Sequence, residues 1–121
     1  KSVIYKRMSR LLEELDRARG DGTLPEYRTK LAKANLLVID DWAIEPITRK
    51  GRSDLLEVVE DQNGNGSILI TSQLPVSSWY AYIGEPTIAD AILDRLVHNS
   101  HHVKLDGPSM REKYGLSKGD E

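Results

Sequence analysis

Leu36, Leu37, Val38 and Ile39 form an unbroken apolar run that ends in two adjacent carboxylates, Asp40 and Asp41. Such a run reads as a buried strand, and its acids then fall at the carboxyl edge of a sheet, where open α/β folds hold their ligands. Neighbouring carboxylates lose hydration and repel each other there unless a cation or hydrogen-bond donors face them. A metal and phosphate site is the natural use of the pair. A strand that ends in an Asp-rich turn is the plainer alternative.

The remaining chain alternates between the same two kinds of segment. Ser2 to Tyr5 predicts a short strand, and Met8, Leu11, Leu12 and Leu15 at helical spacing predict a helix that stops at Gly20-Asp21-Gly22. A second helix is expected from Pro25 to Lys33, with Pro25 in its first turn and Leu31 and Ala34 inward. After Trp42 to Pro46, Thr48 is suited to cap a helix whose buried stripe is Leu55, Leu56 and Val59, ended by Asn63-Gly64-Asn65-Gly66. Ser67 to Thr71 is another near-continuous apolar strand of the sort buried on both faces of a parallel sheet, and it ends in Thr71, Ser72 and Gln73. Val76 to Ile83 predicts a short helix, and Thr87 with Asp90 predicts a capping-box start for a helix through about Asn99. His101 to Leu105 reads as a last strand, and residues 112–121 as a loose tail. The alternation favours a single α/β domain with a parallel sheet.

Composition sets modest limits. At 121 residues, 39% hydrophobic and 30% charged, the chain is an ordinary soluble domain. Charge is uneven beneath a net of −2: residues 1–34 hold nine basic and five acidic side chains, residues 35–66 three and seven. A basic face can meet a phosphate backbone, although a solvated helix surface is the commoner explanation. The absence of cysteine excludes a disulfide framework and a thiolate metal site. No apolar run approaches the ~20 residues of a membrane span, so a cytoplasmic protein with no membrane association is expected.

The polar strand ends define a possible chemistry. In nucleoside triphosphate hydrolysis a magnesium ion needs an anionic anchor, and the attacking water needs an orienting group. Asp40 would serve the metal and Asp41 the water. A neighbouring strand should offer a hydroxyl or amide near the terminal phosphate, and Thr71, Ser72 and Gln73 are placed to do so. Arg95, on a helix apolar at Ile88, Ala91, Ile92 and Leu96, is the candidate cation for the developing phosphoryl charge, supplied across a subunit boundary. Its structural alternative is a surface ion pair with Asp94 or Asp90. His98, His101 and His102 read as strand-edge residues more readily than as a metal cluster, and Trp42 and Trp79 as packing residues.

The acidic strand, the Ile70-Thr71-Ser72-Gln73-Leu74-Pro75 run and the segment from Asp90 to Asn99 occur in one order at close spacing. Together they resemble the carboxyl-terminal portion of an IstB-like ATPase, from about Val3 through Arg111. That family comprises transposition helpers of bacterial insertion sequences, is related to the DnaC helicase loaders and belongs to the AAA+ class. The resemblance implies a three-layer P-loop NTPase core with a parallel sheet. It makes Leu36 to Asp41 the Walker B strand, Thr71 to Gln73 sensor 1, Arg95 the arginine finger and Arg111 a second phosphate-facing arginine. It further implies ATP and magnesium as ligands, homo-oligomers on DNA, and cooperation with a transposase.

One element of the family pattern is missing. No Gly-x-x-x-x-Gly-Lys-Ser/Thr cradle occurs in the sequence, and Gly20-Asp21-Gly22 cannot replace it. The expectation is a core truncated at its N-terminus, without the Walker A strand, that as an isolated chain neither binds ATP tightly nor hydrolyses it. Loss of that strand would leave His101 to Leu105 without its neighbour, so either the last strand moves over or chains pair their edges, and a dimer or larger assembly is expected. A phospho-receiver signalling domain is the rival reading. It shares the acid-ended first strand and has Lys104 for its lysine, but lacks an Asp-terminated strand before the hydroxyls. A third is a non-catalytic DNA or protein interaction fragment, drawing on Lys6, Arg7, Arg10, Arg17 and Arg19.

Overall fold

The computed structural model describes residues 1–42, 46–99 and 102–104. In chain order, β1 (Val3–Arg7) leads into α1 (Met8–Asp21) and α2 (Leu24–Ala32), then β2 (Leu36–Trp42) into α3 (Arg49–Gln62). β3 (Ser67–Ser72) continues through a 3-10 turn at Val76–Ser78, α4 (Trp79–Ile83) and α5 (Pro86–Asn99) to β4 (His102–Lys104). All strands are parallel and lie in the order β1-β2-β3-β4. Each crossover steps the same way, and parallel crossovers are right-handed, so the helices gather on one face. Leu37, Ile39, Ile68 and Ile70 are buried beneath them, whereas Val3 and Tyr5 on the opposite face are 60% and 56% exposed. The described residues thus supply the sheet and one helical layer of the α/β core.

The helices form because their apolar side chains recur at helical spacing. Met8, Leu11, Leu15 and Ala18 make one buried stripe on α1, which ends at Gly22, whose φ of 79° closes the helix in the left-handed region. Leu55, Val58 and Val59 make the stripe of α3, and the Thr48 hydroxyl caps it by accepting the Gly51 amide at 3.0 Å. Each fully buried leucine or isoleucine contributes roughly 1.5–3 kcal/mol. At the carboxyl end of the sheet Trp42 and Trp79 pack with ring centroids 5.0 Å apart, and Trp79 Nε1 donates to the Leu74 carbonyl at 2.8 Å. Both indoles are buried, as packing residues should be.

Several boundaries differ from the expectation, most by a residue, and two have a clear physical reason. β1 runs on to Arg7 and not only to Tyr5, because its ladder with β2 continues through the pair Arg7↔Asp40. α5 begins at Pro86, and Glu85 rather than Thr87 serves its first turn: Glu85 Oε1 accepts the Ile88 amide at 2.7 Å. Proline suits that position because its missing N–H has no intrahelical partner there, and the carboxylate satisfies an amide that does need one. β4 pairs directly with β3 at Leu69↔His102, Ile70↔Val103 and Thr71↔Lys104. The last strand thus moves over onto its neighbour, the first of the two arrangements considered. His101, Arg111 and the tail 112–121 lie outside the described residues. No helix among the described residues is long and apolar enough to cross a membrane.

Candidate functional site at the carboxyl rim of the sheet

The β2–β3 ladder is in register at Ile39↔Ile70 and again at Trp42↔Ser72. Asp40 and Asp41 therefore oppose Thr71 together, which is a β-bulge. Asp41 takes a φ of 59°, alone among the described non-glycine residues. That conformation costs an L-residue roughly 1–2 kcal/mol, less for aspartate than for most. The bulge turns consecutive acids toward the same side, where strand alternation would have separated them.

Three side chains hold them. Tyr5 and Thr71 each donate a hydroxyl to the Asp40 carboxylate, one from β1 and one from β3. The Thr71 oxygen in turn accepts the Asp41 main-chain amide at 3.2 Å, so one hydroxyl ties together both acids of the bulge. Arg7 donates from Nε and Nη2 to a single Asp41 oxygen at 3.1 and 2.7 Å. Partial burial works against the charge on Asp40, but hydrogen bonds from Thr71, Tyr5 and the Asp41 amide outweigh it and hold the carboxyl below its ordinary range. The hydrogen bond to Asp40, with burial adding to it, pushes the Tyr5 phenol up. Asp40 is thus an anion solvated by neutral hydroxyls, while Asp41 faces a guanidinium.

The three polar residues at the end of β3 have different places. Thr71 is at the rim against Asp40. Ser72 is buried, donates to the Trp42 carbonyl at 2.9 Å and accepts the Leu74 amide at 2.9 Å, which locks the two strand ends together. Gln73 is exposed. Arg95 is elsewhere: it pairs with Glu60 at 3.2 Å and with Asp94 at 3.5 Å. Glu60 is in the last turn of α3, and α3 runs back from the carboxyl rim to the start of β3, so Arg95 lies toward the opposite edge of the sheet from its own acid pair. The ion pair considered with Asp94 is present, joined by Glu60.

Tyr5 and Arg7 are the rim residues that the sequence reading missed as site residues. Their alternation with Lys6 was the available signal, since a strand that reaches Arg7 beside β2 sets Tyr5 opposite Val38 and Arg7 opposite Asp40. The basic set to which Arg7 was assigned is largely neutralised within the chain. Lys6 pairs with Glu14 at 2.8 Å, Arg10 with Glu14 at 3.2 Å, and Arg19 with Asp54 at 2.8 Å and Asp16 at 2.7 Å.

Among the described residues no group of three or more His, Cys, Asp or Glu side chains is arranged to hold a metal ion. The donor set fits a cation held at one protein point: an ionised Asp40 with the Thr71 hydroxyl beside it. Magnesium at nucleotide sites is usually held this way, by one or two carboxylates with water and phosphate oxygens completing the shell.

Residues 1–117 match the family described as IstB-like ATP binding protein. An insertion-sequence ATP-binding protein of Sinorhizobium fredii is 52% identical over 111 residues, which cover 92% of this chain and 45% of that protein. The chain spans about half the length of the curated relatives it matches. Among solved structures, the replication initiator DnaA bound to AMPPCP and single-stranded DNA superposes with a TM-score of 0.65 at 13% identity, covering 95% of this chain and 36% of that one. The DnaC helicase loader superposes with a TM-score of 0.63 at 16% identity, covering 88% and 61%. These likenesses place the fold among P-loop AAA+ proteins, and the family match sets aside the phospho-receiver alternative.

Proposed function

The chain belongs to the IstB-like ATP-binding protein family, and on that premise we propose that it supplies the acid-bearing side of an ATP site in a protein that assists insertion-sequence transposition. The observation that carries this is the convergence of Asp40, Asp41 and Thr71 on one rim at the carboxyl edge of a parallel sheet. Asp40 anchors a magnesium ion, directly or through water, and Thr71 and Tyr5 hold the carboxylate ionised and aimed. When bound, that ion neutralises charge on the β and γ phosphates. Asp41 orients the attacking water. Thr71 is the member of the β3 trio assigned to the terminal phosphate, since it stands on the rim against Asp40 while Ser72 is buried against the Trp42 carbonyl.

Arg95 acts on the nucleotide of a neighbouring copy, because its own acid pair is at the other edge of the sheet. Arg111 is a second phosphate-facing arginine by resemblance. Self-assembly, DNA contact and cooperation with a transposase belong to the same proposal. Without a phosphate cradle among its 121 residues, the chain alone binds ATP only weakly and does not turn it over.

The test is to join the chain behind a strand-loop-helix segment that carries a Gly-x-x-x-x-Gly-Lys-Ser/Thr cradle. We expect the fusion to hydrolyse ATP with magnesium, Asp41→Asn to lower turnover at least 100-fold with ATP still bound, and Asp40→Asn to remove magnesium-dependent binding. Turnover by the unfused chain, or a fusion indifferent to both substitutions, contradicts the proposal.

A further inference from the structure

Two adjacent carboxylates on one side of a strand end would ordinarily converge on a single divalent cation, and in this structure they do not. Tyr5 and Arg7, two apart on β1 and so on one face of it, each take a different acid: Tyr5 takes Asp40 and Arg7 takes Asp41. Arg7 is the register partner of Asp40, yet its guanidinium passes that residue by and gives two N–H groups to Asp41 Oδ2. The hydrogen-bond partners of Asp40 are neutral, and Arg7 acts on it only through space, without a direct contact. The partner of Asp41 is a full positive charge.

We propose that Arg7 is a positioning residue that withholds Asp41 from the cation, so that the site takes one divalent ion through Asp40 alone and keeps Asp41 for another task. This rests on the reading of the rim as a cation and nucleotide site. Arg7 is well placed for the role because it ends β1 with its side chain 64% exposed, held by Asp41 while most of its surface stays in water. A second carboxylate within reach of the ion would both tighten metal binding and consume the acid needed for water. The guanidinium opposes this by occupying Asp41 Oδ2 with two N–H groups and by repelling a cation from that carboxylate.

The experiment is a Mn2+ titration of the 121-residue chain, followed by water-proton relaxation. Arg7→Ala should bind Mn2+ more tightly than the wild type, by about fivefold or more, from loss of a nearby positive charge and gain of a second carboxylate ligand. Asp41→Asn should cost the Arg7→Ala protein much more affinity than it costs the wild type, whereas a general charge effect would be equal in the two backgrounds. Arg7→Lys, which keeps a cation beside Asp41, should stay near the wild-type affinity. Circular dichroism of each variant checks that a gain of binding is not due to carboxylates exposed by a damaged fold. The inference is overturned if Arg7→Ala binds Mn2+ no more tightly than the wild type, if Asp41→Asn weakens binding equally with and without Arg7, or if neither protein binds measurably. The reading of the rim has its own arm: wild-type binding that survives Asp40→Asn sinks that reading, and binding lost with Asp40→Asn but unmoved by Arg7→Ala sinks only the role of Arg7.

Discussion

Thr71 on β3 donates its hydroxyl to the carboxylate of Asp40 on β2. Through the same oxygen it accepts the Asp41 amide, which the β-bulge removes from the regular ladder. One side chain therefore stabilises both the charge at the rim and the backbone irregularity that creates the rim. Thr71→Val keeps the branched shape and removes both hydrogen bonds, and we expect it to lower unfolding free energy by about 1–2 kcal/mol in chemical denaturation. Thr71→Ser should keep most of the stability.

The Arg19–Asp54 pair carries a pH signature. Burial pushes the Asp54 carboxyl up, and the Arg19 guanidinium only partly opposes it. A carboxyl whose folded pKa exceeds its unfolded value favours the folded state when protonated, so its contribution declines as pH rises through that window. Arg19→Ala leaves Asp54 as a nearly buried charge without its cation. We expect a loss of about 2 kcal/mol at pH 7, less than a fully buried pair would show because Arg19 is 28% exposed. That loss should shrink as pH falls toward 4, and a constant difference across pH would contradict the assignment.

Gly66 is required by close approach. A Cβ there would stand 2.7 Å from the Ala34 carbonyl oxygen and 2.8 Å from that of Asn35, backbone atoms that lead into β2. Gly66→Ala should destabilise by about 2 kcal/mol or more, through displacement of β3 from β2. Gly20→Ala is the opposite case. It sits in α1 with nothing within 4 Å of a built Cβ, and should stabilise by about 0.5 kcal/mol.

The start of α5 separates two capping schemes. Glu85→Ala removes the acceptor of the Ile88 amide and should lower thermal stability by about 1 kcal/mol. Thr87→Ala, at an exposed position inside the first turn, should be nearly neutral. The reverse ranking would restore the scheme read from the sequence.

The strand order of chemistry was legible in the sequence because apolar runs and their polar ends are local features. Leu36 to Asp41 and Ser67 to Thr71 needed no knowledge of their neighbours to be recognised as buried strands. The Thr48 cap and the Gly22 stop were legible for the same reason. The bulge was not: Asp40 and Asp41 share a side because β2 gains a residue relative to β3, a property of two strands together. Tyr5 and Arg7 escaped notice as site residues because their meaning depends on the β1–β2 register. Ser72 and Thr71 look interchangeable as letters, and only strand alternation sends one inward to the Trp42 carbonyl and the other to Asp40.

The most direct test of the central claim is a titration of the 15N-labelled 121-residue chain with ATP and magnesium, read by amide chemical shifts. We expect shifts concentrated at Asp41, Thr71 and their strand neighbours, dependent on magnesium, with saturation no tighter than millimolar. Micromolar saturation, or shifts that fall away from the rim, in the cavity between α2 and the end of α3 lined by Arg28, Asp61 and Asn63, would contradict the account.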